Sequence, residues 1–481
     1  MNYKMVAHLI GRIMLVMAIF MCLPLLIAVI KQEDTISGFL ISIGVHAGIG
    51  LLFGLKRPNH TELYAKEGAV VVGLGWLITS LLGALPFYIS GEIPSYINAF
   101  FETVSGFTTT GASILRNIEG LSQSALFWRS FTHWIGGMGV LVFVLAIMPK
   151  SHASQSIHIM RAESPGPQVG KLVSRMRNTA RILYGIYIAL TLLEILSLKL
   201  VGMPWFDSVL HSFATAGTGG FSIKNASIAA YDSASVDLII SVFMTLFGIN
   251  FSLFYLILTG NILQALKSEE LHWYLGIIAT ATLLISLNIL PQYQTFLEAL
   301  RYAFFQVASI TTTTGFITAD YEAWPIFSQS ILILLMFFGA CAGSTGGGIK
   351  VSRILILGKV AFRELRQQLR PRSVTALKLE GKQLDSGVVA GVMAYMSIYT
   401  FIIVISIILL GLDDFSYTSN FSAVITCVNN VGPGLGAVGP SRNFALYSDF
   451  SKIILSIDML AGRLELIPIV MLLSPATWKR R

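Results

Sequence analysis

Ten stretches of the chain are apolar over lengths that suit a bilayer, near 7–30, 37–55, 68–90, 122–148, 180–202, 234–262, 272–291, 328–355, 386–411 and 450–473. Crossing takes about 20 mostly apolar residues. Four shorter segments, near 95–107, 204–214, 296–310 and 417–428, predict helices that reach only part way. Each runs into a polar loop with glycine: Thr108-Thr109-Thr110-Gly111-Ala112, Ala216-Gly217-Thr218-Gly219-Gly220, Thr311-Thr312-Thr313-Thr314-Gly315-Phe316 and Asn429-Asn430-Val431-Gly432-Pro433. A long apolar stretch follows each loop. After two leading spans the order is therefore span, half-helix, loop, span, four times over, and a repeat on this scale decides the fold.

The predicted organisation is two leading helices (1–60), a first unit (61–150), a linker (151–179), a second unit (180–265), a third (266–355), a second linker (356–385) and a fourth unit (386–481). The expected fold is an all-α integral membrane protein whose four units stand in pseudo-fourfold arrangement around a central pore.

Composition agrees. Of 481 residues, 54% are hydrophobic and 12% charged, with a mean hydropathy of +0.72. A soluble domain carries about 25% charged residues. The first apolar stretch is too long for a signal peptide and lacks a cleavage-type end. Cys22, Cys341 and Cys427 lie in apolar segments with no disulfide or metal spacing and read as packing residues. A net charge of +8 would suit nucleic acid, but the positive residues concentrate between spans. Lys56, Arg57, Lys66, Lys150, Arg161, Lys171, Arg175, Arg177, Arg181, Arg353, Lys359, Arg363, Arg366, Arg370, Arg372, Lys378, Lys382 and Lys479-Arg480-Arg481 all fall on one side. Glu92, Glu119, Asp232, Asp320, Glu322, Asp413, Asp414 and Asp449 fall on the other. The basic side is expected to be cytoplasmic, with both termini there. The half-helices then dip in from outside.

Non-helical backbone at membrane depth is tolerated only when buried in protein or lining water. Four such loops imply one aqueous path. A half-helix entering from outside aims its carbonyl end inward, which favours a cation, and loop carbonyls can replace an ion's hydration shell. The expected ligands are backbone carbonyls of Thr109, Thr110 and Gly111; Gly217, Thr218 and Gly219; Thr313, Thr314 and Gly315; and Asn430, Val431 and Gly432. The plain alternative, ordinary interhelical turns, suits one such loop better than four.

These motifs, with His133-Trp134-Ile135-Gly136-Gly137-Met138-Gly139, resemble the TrkH-type membrane subunits of Trk potassium uptake systems, in the Trk/Ktr/HKT superfamily. The resemblance covers nearly the whole chain. It implies potassium as the transported ion, with Gly111, Gly219, Gly315 and Gly432 accompanying potassium preference; relatives with serine at the first position tend to pass sodium. It also implies a dimer and a cytosolic TrkA-type nucleotide-binding subunit, for which 150–181 and 353–382 are the expected docking segments. Topology determination and contact with anionic lipid are the rival reading of those segments. No nucleic-acid partner is expected.

A glycine cluster, Gly339, Gly343, Gly346, Gly347 and Gly348, interrupts the eighth span. Glycine costs roughly 1 kcal/mol against alanine in a helix, so a break is predicted here. Ile349 separates Gly348 from Lys350 and no strand precedes, which excludes a P-loop. A break inside a pore reads as a mobile constriction, and the resemblance implies an intramembrane loop that obstructs permeation. It also implies that Arg463 projects into the pore beside that loop as part of the gate. Close helix packing is the alternative for the glycines and interhelical hydrogen bonding for Arg463. Glu465 reads as an interior pairing partner. His133 and His211 read as structural, and Asp207 as a possible N-terminal cap of the second half-helix. No catalytic motif emerges, so the chain is not expected to be an enzyme. A secondary symporter coupled to sodium or protons is the second expectation within transport.

Overall fold

The computed structural model describes residues 1–56, 58–59, 63–139, 176–372 and 376–478. Most of the basic segment 150–181, Arg57, the final Lys-Arg-Arg and the last third of the span expected at 122–148 lie outside them.

The leading spans form an antiparallel pair, Tyr3–Lys31 and Ile36–Gly54. Their backbones nearly touch. A Cβ on Gly11 would stand 2.4 Å from the Gly54 nitrogen, the kind of approach that small residues permit between membrane helices.

Four units follow. Their outer spans are Ala65–Gly83, continued by Leu85–Ile89, then Met176–Leu200, Glu269–Ile289 and Ser386–Leu410. Leu192, Leu193, Leu196, Phe401, Ile405 and Ile408 stand exposed on these spans, as lipid-facing side chains would. The half-helices are Tyr96–Phe107, Trp205–Gly217, Phe296–Thr311 and Tyr417–Val428. They are the buried elements: Phe101, Val104, Phe107, Leu210, Phe305 and Ile425 are all enclosed. Ser95, Thr295 and Ser416 begin three of them by accepting a backbone N–H from three residues on. The second begins at Pro204 instead, and Asp207 sits in its first turn, accepting from the Tyr231 hydroxyl (2.7 Å).

Each described inner helix stops part way: Gln123–Gly137, Ala234–Phe247, Ile326–Phe337 and Asp449–Arg463. The break in the third was expected from its glycine cluster; those in the other three were not. The second resumes at Phe251–Leu258 after a 91° bend, the third at Val351–Leu369 and the fourth at Ile467–Leu473. Window-averaged hydropathy does not register the unexpected breaks, because the flanking residues keep the stretch apolar overall. Packing explains two. A Cβ on Gly136 would meet the Phe107 carbonyl oxygen at 2.0 Å, and one on Gly462 the Val428 oxygen at 1.9 Å. The inner helix must present bare backbone where the half-helix ends beside it.

Candidate functional site: four loops and the layer beneath them

Each half-helix ends in the same conformation. The backbone turns left-handed at Thr109 (φ 55°), Thr218 (φ 56°), Thr313 (φ 59°) and Asn430 (φ 56°). The next residue donates its N–H five residues back: Thr110 to Ser105, Gly219 to Ala214, Thr314 to Ser309 and Val431 to Thr426, all at 2.8–2.9 Å. The residue after that is a glycine at positive φ: Gly111 (82°), Gly220 (71°), Gly315 (82°) and Gly432 (97°). This is a Schellman-type helix end. A β-branched threonine in the left-handed region is a true outlier, of the strained kind that clusters at functional sites.

The repeated geometry corrects the register of the second loop. Gly220, not Gly219, matches Gly111, Gly315 and Gly432, and Gly217 takes the place of Thr108. The Gly217 carbonyl accepts the Thr218 hydroxyl (2.6 Å), as the Thr108 carbonyl accepts that of Thr109 (2.7 Å). The signal was present in the chain: Gly220-Phe221 parallels Gly315-Phe316.

The loops close a ring. A Cβ on Gly111 would lie 2.1 Å from the Gly219 oxygen, one on Gly220 2.0 Å from the Thr314 oxygen, one on Gly315 2.3 Å from the Val431 oxygen, and one on Gly432 2.6 Å from the Thr110 oxygen. Loop one thus meets two, two meets three, three meets four and four returns to one. Among the described residues, no donor is paired with the carbonyls of Thr109, Thr110, Gly111, Thr218, Gly219, Gly220, Thr313, Thr314, Gly315, Asn430, Val431 or Gly432. Buried backbone acceptors are nearly always paired. Oxygens in this state suit water or a dehydrated cation.

Below the ring lies the long excursion of the third inner helix. Its neck is closed by the Gly339 N–H on the Ile349 oxygen (2.8 Å). The Gly347 N–H donates to the Thr313 hydroxyl (2.7 Å), and a Cβ on Gly347 would stand 2.7 Å from the Asn429 oxygen. A Cβ on Gly346 would lie 3.0 Å from the Thr312 oxygen. Gly343 and Gly348 take positive φ, and the Gly343 oxygen accepts the Phe251 N–H across the second break (3.0 Å). The excursion therefore sits directly under loops three and four.

Arg463, at the end of the fourth inner helix, donates to the Thr345 oxygen (2.7 Å) and to the oxygens of Gly136 and Gly137 at the first break. It ties three breaks together. Three further residues take positions here that the sequence alone did not give them; Arg353, expected at the start of a basic docking segment, is buried instead. Glu270 holds both ends of the excursion, accepting from the N–H groups of Ala342 (2.8 Å) and Ser352 (3.0 Å). Lys350 is buried and donates to the Gly346 and Gly347 oxygens. Arg353 pairs with Glu465 and packs over the Tyr395 ring. His133 stacks on Phe221 (4.1 Å), and His211 bridges the Asp207 oxygen and the Ser222 hydroxyl. Cys341 and Cys427 are buried, and Cys22 is exposed on the first helix.

Residues 34–480 match the family model described as TrkH, cation transport protein. The chain is 37% identical to the Trk system potassium uptake protein TrkH of Salmonella typhimurium and 36% identical to that of Escherichia coli, each over 100% of both chains. Its structure is similar to the crystal structure of the potassium transporter TrkH from Vibrio parahaemolyticus, with a TM-score of 0.90 and 33% identity over 100% of both chains. This chain is a membrane transporter, not an enzyme, and belongs to the TrkH family of cation transport proteins.

Proposed function

We propose that the chain carries potassium into the cell across the cytoplasmic membrane, through the ring formed by its four glycine loops. The observation that carries this reading is the closed cycle of contacts between loops of one conformation, with their carbonyls unpaired. The names of the full-length relatives, potassium uptake proteins and a potassium transporter, support the same ion. The ligands are the carbonyls of Thr109, Thr110 and Gly111, of Thr218, Gly219 and Gly220, of Thr313, Thr314 and Gly315, and of Asn430, Val431 and Gly432. Rigid oxygens of this kind replace water around a potassium ion. The negative ends of four half-helix dipoles favour any cation there.

The excursion at 338–350 is the gate, and Arg463 is its latch. With Gly346 and Gly347 pressed under loops three and four, the excursion obstructs the path. Opening requires the excursion to free its Thr345 carbonyl from Arg463. The basic side faces the cytosol, with both termini there. A cytosolic nucleotide-binding partner acts from that side on the Val351–Leu369 helix, whose Arg363 and Arg366 continue from the gate. Two such chains associate as a dimer.

Purified protein in liposomes tests the reading. Passive potassium uptake down its gradient, well above sodium uptake, is the expected result. Flux that needs a cosubstrate in fixed ratio would support the second reading, a coupled symporter. The four interrupted inner helices favour that alternative, since broken helices also build carrier sites.

A further inference from the structure

The four loops meet at four seams, each tied by hydrogen bonds, with a carboxylate taking part between loops three and four, where Glu322 accepts the Gly436 N–H. Between loops two and three, the Ile317 N–H donates to the Ser227 hydroxyl (3.2 Å) and the Ala229 N–H to the Ile317 oxygen (3.1 Å). Between three and four, the Tyr321 hydroxyl donates to the Gly434 oxygen (3.0 Å). Between four and one, the Phe444 N–H donates to the Ser113 oxygen (2.8 Å). The seam between loops one and two is built on an ion pair buried on both sides.

Glu102, on the first half-helix, is 1% exposed, and Arg129, on the first inner helix, is 2% exposed. The Arg129 Nε donates to Glu102 Oε1 at 2.7 Å. Glu102 also accepts the Ser113 hydroxyl (2.9 Å) and, through Oε2, the Ile114 N–H (2.9 Å). The Arg129 Nη1 donates to the Ser222 oxygen (2.8 Å), and its guanidinium lies 3.5 Å from the centre of the Phe221 ring. One buried pair thus grips the exit of loop one, two residues beyond Gly111, and the exit of loop two, two residues beyond Gly220.

Two physical points say what this is for. A buried ion pair is weak support for stability, since apolar residues of similar volume often do as well, whereas fixing a register is its best-attested use. The guanidinium also has the flat, forked shape needed to bond a carboxylate and a carbonyl while stacking on a ring. A neutral strut occupies the same half-helix position in the next two units, His211 to Ser222 (2.9 Å) and Gln306 to Thr318 (3.4 Å). Those struts hold only their own loop.

We propose that the Glu102–Arg129 pair sets the separation of loops one and two and is thereby a determinant of ion selectivity. Neither side chain touches the ion. Both are positioning residues, acting through the Gly111 and Gly220 backbones. The inference rests on the ring being the selectivity filter.

The test is the ratio of potassium to sodium flux, both measured on the same proteoliposomes. That ratio does not depend on how many molecules fold. Arg129→Lys keeps the charge but loses the fork, and Glu102→Gln keeps the shape but loses the charge. Each is expected to lower the ratio about tenfold, the size of one lost charge-assisted hydrogen bond. Ser113→Ala leaves the pair intact and is expected to lower it less, with full expression. A proportional loss of both fluxes at a constant ratio, in Arg129→Lys and Ser113→Ala alike, would overturn the proposal and leave the pair a folding element. Wild-type protein that fails to discriminate the two ions would instead sink the filter reading itself.

Discussion

At the level of the loops, one conformation is used four times, with a left-handed residue at the same position, the same five-residue hydrogen bond and a glycine two positions on. One turn lower, the four inner helices all stop, yet each break is built differently. The first follows Gly136-Gly137. The second is a three-residue bend at Gly248-Ile249-Asn250, the third a thirteen-residue excursion at 338–350, and the fourth a kink with Glu465 and Leu466 at positive φ. A cation held by surrounding oxygens requires them at equal distance, and that demands equivalent loops. A barrier needs only one obstruction. Among the described residues, the long insertion belongs to the third unit.

If the layers divide selectivity from gating in this way, substitutions above should change the ion ratio and substitutions below the rate. The largest effect is expected in the ring. Gly315→Ser places a Cβ 2.3 Å from the Val431 oxygen at φ 82°. Strain of that kind costs about 1–3 kcal/mol. The potassium-to-sodium flux ratio should fall about tenfold or more. Gly220→Ser should match it, and an unchanged ratio there would break the equivalence of the second loop with the others.

A smaller effect is expected from Arg463→Ala. It removes a charged donor to three carbonyls across three breaks, an interaction of about 1.5–3 kcal/mol. Leak through partner-free protein in liposomes should rise about tenfold with the ion ratio unchanged. A changed ratio with unchanged leak would reverse the assignment of the two layers.

Thr313→Val is the smallest and most diagnostic. It deletes the hydrogen bond from the Gly347 N–H, which joins the ring to the excursion. Losing about 1 kcal/mol, it should shift leak by about threefold to fivefold and move the ratio less than Gly315→Ser does. A shift in ratio as large as that of Gly315→Ser would merge the two layers into one.

Periodicity and punctuation carried much of the architecture. The half-helices expected near 95–107, 204–214, 296–310 and 417–428 lie within a few residues of those observed. Apolar runs too short to span, each closed by Thr or Asn and glycine, leave little else for the backbone to do. The second loop went wrong by one residue because Gly217, Gly219 and Gly220 crowd together, and composition alone cannot say which glycine takes positive φ. The inner breaks at Gly136-Gly137 and Gly248 were hidden because hydropathy measures transfer to lipid, not helix continuity.

What the chain determines unaided is local: which stretches are long enough to span, and where the half-helices start and end. Which loop faces which, and the joining of Glu102 to Arg129, Glu270 to both ends of the excursion, and Arg463 to three separate carbonyls, arise only when four units pack together. Those contacts span tens to hundreds of residues, and partners so far apart in sequence leave no periodic trace. Each exists because a buried polar group must find a partner among whatever the fold brings near it.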